Sequence, residues 1–335
     1  MIAWLKHTAE RQRELLGLAS SRSGLPAGAL EKDWWVTLAL NAIFQTPWAA
    51  GLVFKGGTSL SKSWGLIDRF SEDIDLVLDR AILGYTEDLS KSKIKALRRD
   101  SCAFISGEFL EKLEQQLLAM GISAELFSLT VKETTEHDRD PQVLVLNYAS
   151  VLDRDPYLRE AVLIEIGARS LREPAQQREI GSLIGQTLQN NEVVGLPFSI
   201  LTVTPARTFL EKIFLLHEEF SKTEVKVKSE RMSRHLYDIE RIMRTEYADQ
   251  ALADKDLYQG IITHREKFNA LRGLDYSRHQ PATIRFLPPK ALFKDWEADY
   301  KAMRESMFYG ESLSFFELIT RLEELQKRIN NLSDR

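Results

Sequence analysis

Between Phe54 and Leu78 the chain reads FKGGTSLSKSWGLIDRFSEDIDLVL, and here residue types and spacing point to chemistry. Gly56 and Gly57 let the backbone turn sharply and leave amide N–H groups open. Thr58 and Ser59 place hydroxyls at the same turn, and a helix starting there would aim its unpaired amides at the same point. Such a turn is a cradle for an anion, and phosphate suits it. It is not GxxxxGK, because Lys62 has no glycine immediately before it, and it is not GxGxxG.

Further on, a single apolar residue separates Asp73 from Asp75. On a strand, a period of two puts both carboxylates on one face, roughly 6–7 Å apart along the backbone. Ile74 and Leu76 then turn to the core. Two acids so placed can hold a hard divalent cation, Mg2+ or Mn2+, with phosphate oxygens completing its shell. The competing reading is a solvated strand end with a cross-strand lysine partner. A third carboxylate, Glu165, lies in the apolar run Val162-Leu163-Ile164-Glu165-Ile166, where an unpaired acid is costly. A metal would relieve that cost, and so would an ion pair with Arg169 or Arg172. Ser71 precedes Asp73 by two residues, so on an extended strand its hydroxyl faces the metal side; otherwise it caps neighbouring amides.

The elements that must position these groups follow from periodicity and punctuation. Helices are expected over 3–19 and from about Pro26 to Phe44. Leu52-Val53-Phe54 reads as a short strand, 60–64 as a helix and 73–78 as a strand. A helical stretch over 91–119 should break near Gly107 and close at Gly121. Strands follow at 123–133, 142–148 and 161–167, with turns at Asp140-Pro141 and Asp155-Pro156. Residues 168–195 read as a polar excursion, and Leu201-Thr202-Val203 as a strand. Thr204 caps and Pro205 opens a helix running through Leu216. Beyond 230 the segments 231–247, 252–271, 290–304 and 313–330 read as helices. This is an α/β order with a mixed sheet, followed by a mainly helical half. The expected division is 1–45 (helices packing on the core), 46–204 (the α/β domain) and 205–335 (a helical domain completing the active-site cleft).

The segment 55–78 resembles the signature of the AbiEii/AbiGii family of nucleotidyltransferase toxins, within the DNA-polymerase-beta-like nucleotidyltransferase superfamily. Gly56, Gly57, Thr58, Leu60 and Lys62 match Gly-Gly-Thr-x-Leu-x-Lys. Arg69, Phe70, Ser71, Asp73, Ile74 and Asp75 match Arg-Phe-Ser-x-Asp-Ile-Asp. Glu31-Lys32-Asp33-Trp34 is similar to the family's opening helix. Lys212, and Asp238 closing Arg234-His235-Leu236-Tyr237-Asp238, are similar to its later basic blocks, with His235 as a departure. The resemblance implies a nucleotidyltransferase-like sheet. It implies magnesium at Asp73 and Asp75, with Glu165 as a third ligand, and a triphosphate bound by Gly56, Gly57, Thr58, Ser59, Lys62, Ser71 and Lys212. Asp238 would orient Lys212 or Arg234, or abut the active site. The implied reaction moves a nucleoside monophosphate from an NTP to an acceptor, RNA and in particular a tRNA 3′ end. The implied role is the toxin of a type IV toxin–antitoxin pair, with a cognate antitoxin encoded nearby that acts without direct contact. Relatives can be silenced by phosphorylation of the serine matching Ser71.

Composition narrows the alternatives. With 335 residues and 44% hydrophobic side chains, the chain can bury a sizeable core. Lys plus Arg number 45 against 49 Asp plus Glu, a formal charge of -4, so any polyanion must meet a local basic patch. Lys91, Lys93, Lys95, Arg98 and Arg99 form one such run and 222–244 another; either is also an ordinary wet helix face. One cysteine, Cys102, leaves no intrachain disulfide and no thiolate metal site. His217-Glu218-Glu219 is not HExxH, and there is no Gly-x-Ser-x-Gly. No signal-like or membrane-spanning run is present, so a cytoplasmic protein is expected. A small-molecule or protein acceptor, and a non-catalytic nucleotide-binding module, are the competing functional classes.

Overall fold

The computed structural model describes residues 2–133, 140–153, 159–190 and 195–334; the Asp155-Pro156 turn lies outside them. The chain divides into two compact units. One comprises the residues up to Trp64 with Phe70–Val203, the other Gly65–Arg69 with Thr204 onward.

The first unit is built on a seven-stranded mixed sheet. Its strands are β1 (Leu52–Lys55), β2 (Ile74–Leu78), β3 (Phe127–Val131), β4 (Gln142–Tyr148), β5 (Ala161–Gly167), β6 (Ala175–Ile180) and β7 (Phe198–Val203). The order across the sheet is β3-β4-β5-β2-β1-β7-β6. β2 runs parallel to β5 and antiparallel to β1, while β1 is parallel to β7. The strand carrying Asp75 is therefore central. Ile74, Leu76 and Leu78 are buried beside Ile164 and Ile166 on one face of the sheet. Asp75 and Glu165 share the opposite face, the alternation that period two requires.

The helices of this unit are α1 (Ala9–Ser23), α2 (Ala27–Ile43), α3 (Gly56–Lys62), α4 (Lys91–Phe104), α5 (Leu110–Ala119) and α6 (Leu183–Leu188). α2 is buried almost throughout and packs on α1, α5, α6 and β5. Three expectations change. The helix after the glycine turn starts at Gly56 itself, earlier than 60. Gly107 does not break the 91–119 stretch, because a π-helical turn over Ile105–Phe109 carries it from α4 into α5, with Phe104 and Phe109 packed on Trp48. The excursion at 168–195 contains a sixth strand and a helix.

The second unit is helical: α7 (Pro205–Phe220), α8 (Ser233–Met243), α9 (Glu246–Ala253), α10 (Lys255–Phe268), α11 (Phe293–Met307) and α12 (Phe315–Asn330). Its core includes Phe209, Phe214, Leu236, Trp296, Tyr300 and Leu322. Thr204 occupies the cap position of α7 and Pro205 its first turn, but the Thr204 side chain makes no cap hydrogen bond. The segment Gly65–Arg69 is held here by side chains of α8. Tyr237 Oη accepts from the Asp68 amide at 3.0 Å, Arg241 pairs with Asp68, and Arg69 bridges to Phe308.

Candidate active site

The glycine turn and the acid-bearing strand are fitted to each other at the level of single atoms. Gly56 has φ 82°, the left-handed region that favours glycine, and a Cβ built on it would overlap the Asp75 carboxylate. The turn therefore lies directly on Asp75 because Gly56 has no side chain. Gly57 continues into α3, whose cap position, Lys55, makes no side-chain cap bond. The first amides of α3 are thus left to other partners.

Thr58 and Ser59 are 1% and 0% exposed, and their hydroxyls are used inside the protein. Thr58 Oγ1 donates to the Asp73 carbonyl and lies 2.9 Å from Ser71 Oγ, whose hydroxyl is then the donor to it; Ser59 Oγ donates to the Gly56 carbonyl at 2.9 Å. Both hydroxyls fix the turn, and Thr58 ties it to the lead-in of β2. Ser71 is joined to the turn through the same bond. Ser71 and Asp73 both precede β2, which starts at Ile74, so they stand on the loop entering the strand.

Register then adds two side chains. Asp75 is opposite Glu165 on β5 and opposite Lys55 on β1, so Lys55, Asp75 and Glu165 form a row on one face. The cross-strand lysine thus exists, and its Nζ lies 3.2 Å from Ser170 Oγ. Sequence spacing could not reveal this pairing, because it depends on which strands become neighbours. Arg169 pairs with Asp140, and Arg172 with Asp79. Among the described residues, no three His, Cys, Asp or Glu side chains converge into a preformed metal cage, so Asp73, Asp75 and Glu165 are not a closed cluster. The donor set still fits magnesium, which takes hard oxygens and is commonly held by one or two carboxylates plus substrate phosphates and water. Asp73 and Asp75 are the residues that would hold it.

Lys62, expected at the phosphates, is turned elsewhere. Its Nζ lies 2.6 Å from Asp33 Oδ1 on α2, and its side chain is 3% exposed.

In the second unit, Lys212 and Asp238 come together. Lys212 Nζ is 2.9 Å from Asp238 Oδ2, and Arg69 binds the same carboxylate in a fork, with both contacts at 2.7 Å. Asp238 therefore pairs with both Lys212 and Arg69. Burial alone would raise the Asp238 pKa, but Arg69 and Lys212 more than reverse this and hold the carboxyl well below its usual range. Burial lowers the Lys212 pKa; Asp238 opposes this, while the nearby Arg69 charge lowers it further. His235 is driven well below its ordinary value by burial and by Lys212 and Arg234, so its ring is neutral. Its Nδ1 lies 3.3 Å from Lys212 Nζ and can accept from it.

A model of the family described as "Nucleotidyl transferase AbiEii toxin, Type IV TA system" matches residues 38–325, which includes every candidate residue above except Glu31 to Trp34 and their immediate neighbours. No curated protein matches the chain at a significant level.

Proposed function

Because the chain belongs to the AbiEii family of nucleotidyltransferase toxins, we propose that it moves a nucleoside monophosphate from an NTP to the 3′-hydroxyl of an RNA of the tRNA class, as a type IV toxin. The observation that carries this reading is the contact of Gly56 with Asp75, which sets an amide cradle directly on a carboxylate strand. The cradle at Gly56–Ser59 suits the triphosphate through its backbone amides. Thr58 and Ser59 support it from behind, since their hydroxyls are already used.

In the reaction, an acceptor hydroxyl oxygen forms a bond to the α-phosphorus. The bond between that phosphorus and the bridging oxygen to the β-phosphate breaks. Pyrophosphate leaves with the bonding electrons, and the hydroxyl proton passes to a nearby base or water. Magnesium held by Asp73 and Asp75 would lower the acceptor's pKa and neutralise charge on the leaving group. The turn and the strand contribute alignment of the α-phosphate with the attacking oxygen.

The test incubates the protein with α-labelled NTPs and purified tRNA. The expected outcome is label in tRNA with the unmodified chain, none with Asp73→Ala or Asp75→Ala, and none after chelation until Mg2+ or Mn2+ is restored. Robust transfer by either variant overturns the assignment of the acid pair. Label found only in small molecules or proteins overturns the RNA acceptor.

A further inference from the structure

α2 contains an arrangement that neither its helicity nor its packing requires. Glu31, Lys32 and Asp33 are consecutive, ionisable, and only 3%, 2% and 5% exposed. Successive helical residues are turned by about 100° from one another, so the three cannot share a partner, and each reaches a different part of the first unit. Glu31 accepts from Ser150 Oγ at 2.6 Å and from the Val151 amide at 2.8 Å. Lys32 Nζ lies 2.5 Å from Glu72 Oε2 and 3.1 Å from the Arg159 carbonyl. Asp33 takes Lys62 Nζ on one oxygen at 2.6 Å and the Leu183 amide on the other at 2.7 Å.

The partners of Lys32 and Asp33 flank the site on both sides. Lys62 is the last residue of α3, the short helix whose first residue is Gly56. Glu72 immediately precedes Asp73. Between these two grips, Thr58 bonds to the Asp73 carbonyl and to Ser71. Buried ion pairs are poor sources of net stability, because desolvation offsets their attraction. Two of them on adjacent residues are better understood as fixing geometry.

We propose that Lys32 and Asp33 are positioning residues for nucleotidyl transfer: through Glu72 and Lys62 they hold the entrance of the acid strand and the far end of the cradle helix in one fixed relation. This rests on the nucleotidyltransferase reading of the site. Misplacing a reacting group by about 1 Å costs on the order of 100-fold in rate, so slack in either grip should appear in kcat without touching substrate contacts.

Single substitutions would leave a buried charge without its partner and risk unfolding. The informative variants therefore remove both charges together. Asp33→Asn with Lys62→Met keeps an oxygen for the Leu183 amide, and Lys32→Met with Glu72→Gln keeps polarity at the loop. For each pair we would measure the thermal midpoint, kcat and KM for NTP, the Mg2+ concentration giving half-maximal rate, and amide hydrogen exchange. The expected result is a folded protein with a thermal midpoint within a few degrees of the unmodified chain, kcat lowered tenfold or more and KM for NTP changed less than threefold. Exchange should be at least tenfold faster over 56–62 in the first variant and over 71–75 in the second. The second should also need several-fold more Mg2+. Unchanged kcat and unchanged local exchange in folded variants overturn the proposal. So does a loss of activity that merely follows a loss of global stability. If the unmodified chain transfers nothing to any acceptor, the enzymatic reading fails by itself, and the exchange pattern still decides whether the grips exist.

Discussion

A missing Cβ decides the candidate site at the residue scale. Gly56→Ala would force a left-handed φ on an alanine, at a cost of about 1–2 kcal/mol, and would push the new methyl into the Asp75 carboxylate. The expected outcome is a folded protein whose kcat falls about 100-fold, checked by labelled transfer alongside circular dichroism; near-normal turnover would separate the turn from the chemistry. Ser71 makes a related case. Its hydroxyl is bonded to Thr58 on the loop that leads to Asp73, so Ser71→Glu adds a carboxylate next to the acid pair, while a phosphate would add about -1.5 to -2 charges. Transfer should be abolished in a folded Ser71→Glu protein and only weakened in Ser71→Ala. Full activity of the glutamate variant would remove Ser71 from the site. Asp238 tests the second unit in a different way. Asp238→Asn leaves Arg69 and Lys212 buried against a neutral amide, a change expected to cost about 3–5 kcal/mol. Denaturant unfolding of the variant should show it. Because the folded carboxyl has a depressed pKa, the stability it contributes is present above its unfolded value and is lost only as the pH falls below about 3.9.

Elements built on local pattern were readable, whereas those that depend on a neighbour were not. β1, β2, β4 and β5 announce themselves through apolar runs or acid–apolar alternation, and α7 through a helix-starting proline. β6 reads AQQREI, and most of its side chains are exposed or half-exposed. As the edge strand it is held by its backbone ladder to β7, so hydropathy carries almost no trace of it. The same limit hid the role of Lys62. The family resemblance implies a phosphate ligand, but the partner that takes its charge is 29 residues earlier in the chain. In α7, a buried histidine gives the helical unit a pH dependence that the sequence did not signal. His217 Nδ1 lies 3.0 Å from the Arg285 amide, and its ring packs edge-on to His279 at 4.7 Å. Burial, then the neighbouring His279, pushes the His217 pKa down to about 4. The fold therefore keeps this ring neutral at pH values where the unfolded chain protonates it. Between about 6.5 and 4 the unfolded state binds more protons, so stability falls with falling pH, by about 3 kcal/mol in all. Denaturant midpoints at pH 7.5, 6 and 5 should decline stepwise, and His217→Gln should flatten the decline. A pH-independent midpoint over that range would show that the ring takes up its proton in the fold at the same pH as in the unfolded chain.

For the molecule as a whole, charge sets the terms on which a nucleic acid can be bound. No helix among the described residues is long and apolar enough to cross a membrane. With a formal charge of -4 the chain as a whole does not attract RNA, so affinity for an RNA acceptor must come from a local surface. α4 supplies one. Ile94 and Leu97 face the core, while Lys91, Lys93, Lys95 and Arg99 are exposed. The acids nearby do little to cancel them: Lys93 reaches Glu87 only at 3.4 Å, with both side chains more than half exposed, and such a pair is weak in water. Phosphate contacts by these cations would be sequence-independent and salt-dependent, contributing roughly 0.7 to the slope of log affinity against log salt per contact with a single strand. The double charge reversal Lys93→Glu with Lys95→Glu tests this directly. KM for tRNA should rise about tenfold or more and its salt slope should shrink by about 1.4, while KM for NTP stays unchanged, because neither side chain belongs to the turn or the acid strand. If KM for tRNA and its salt dependence are both unaltered, α4 is an ordinary solvated helix and the acceptor is bound elsewhere.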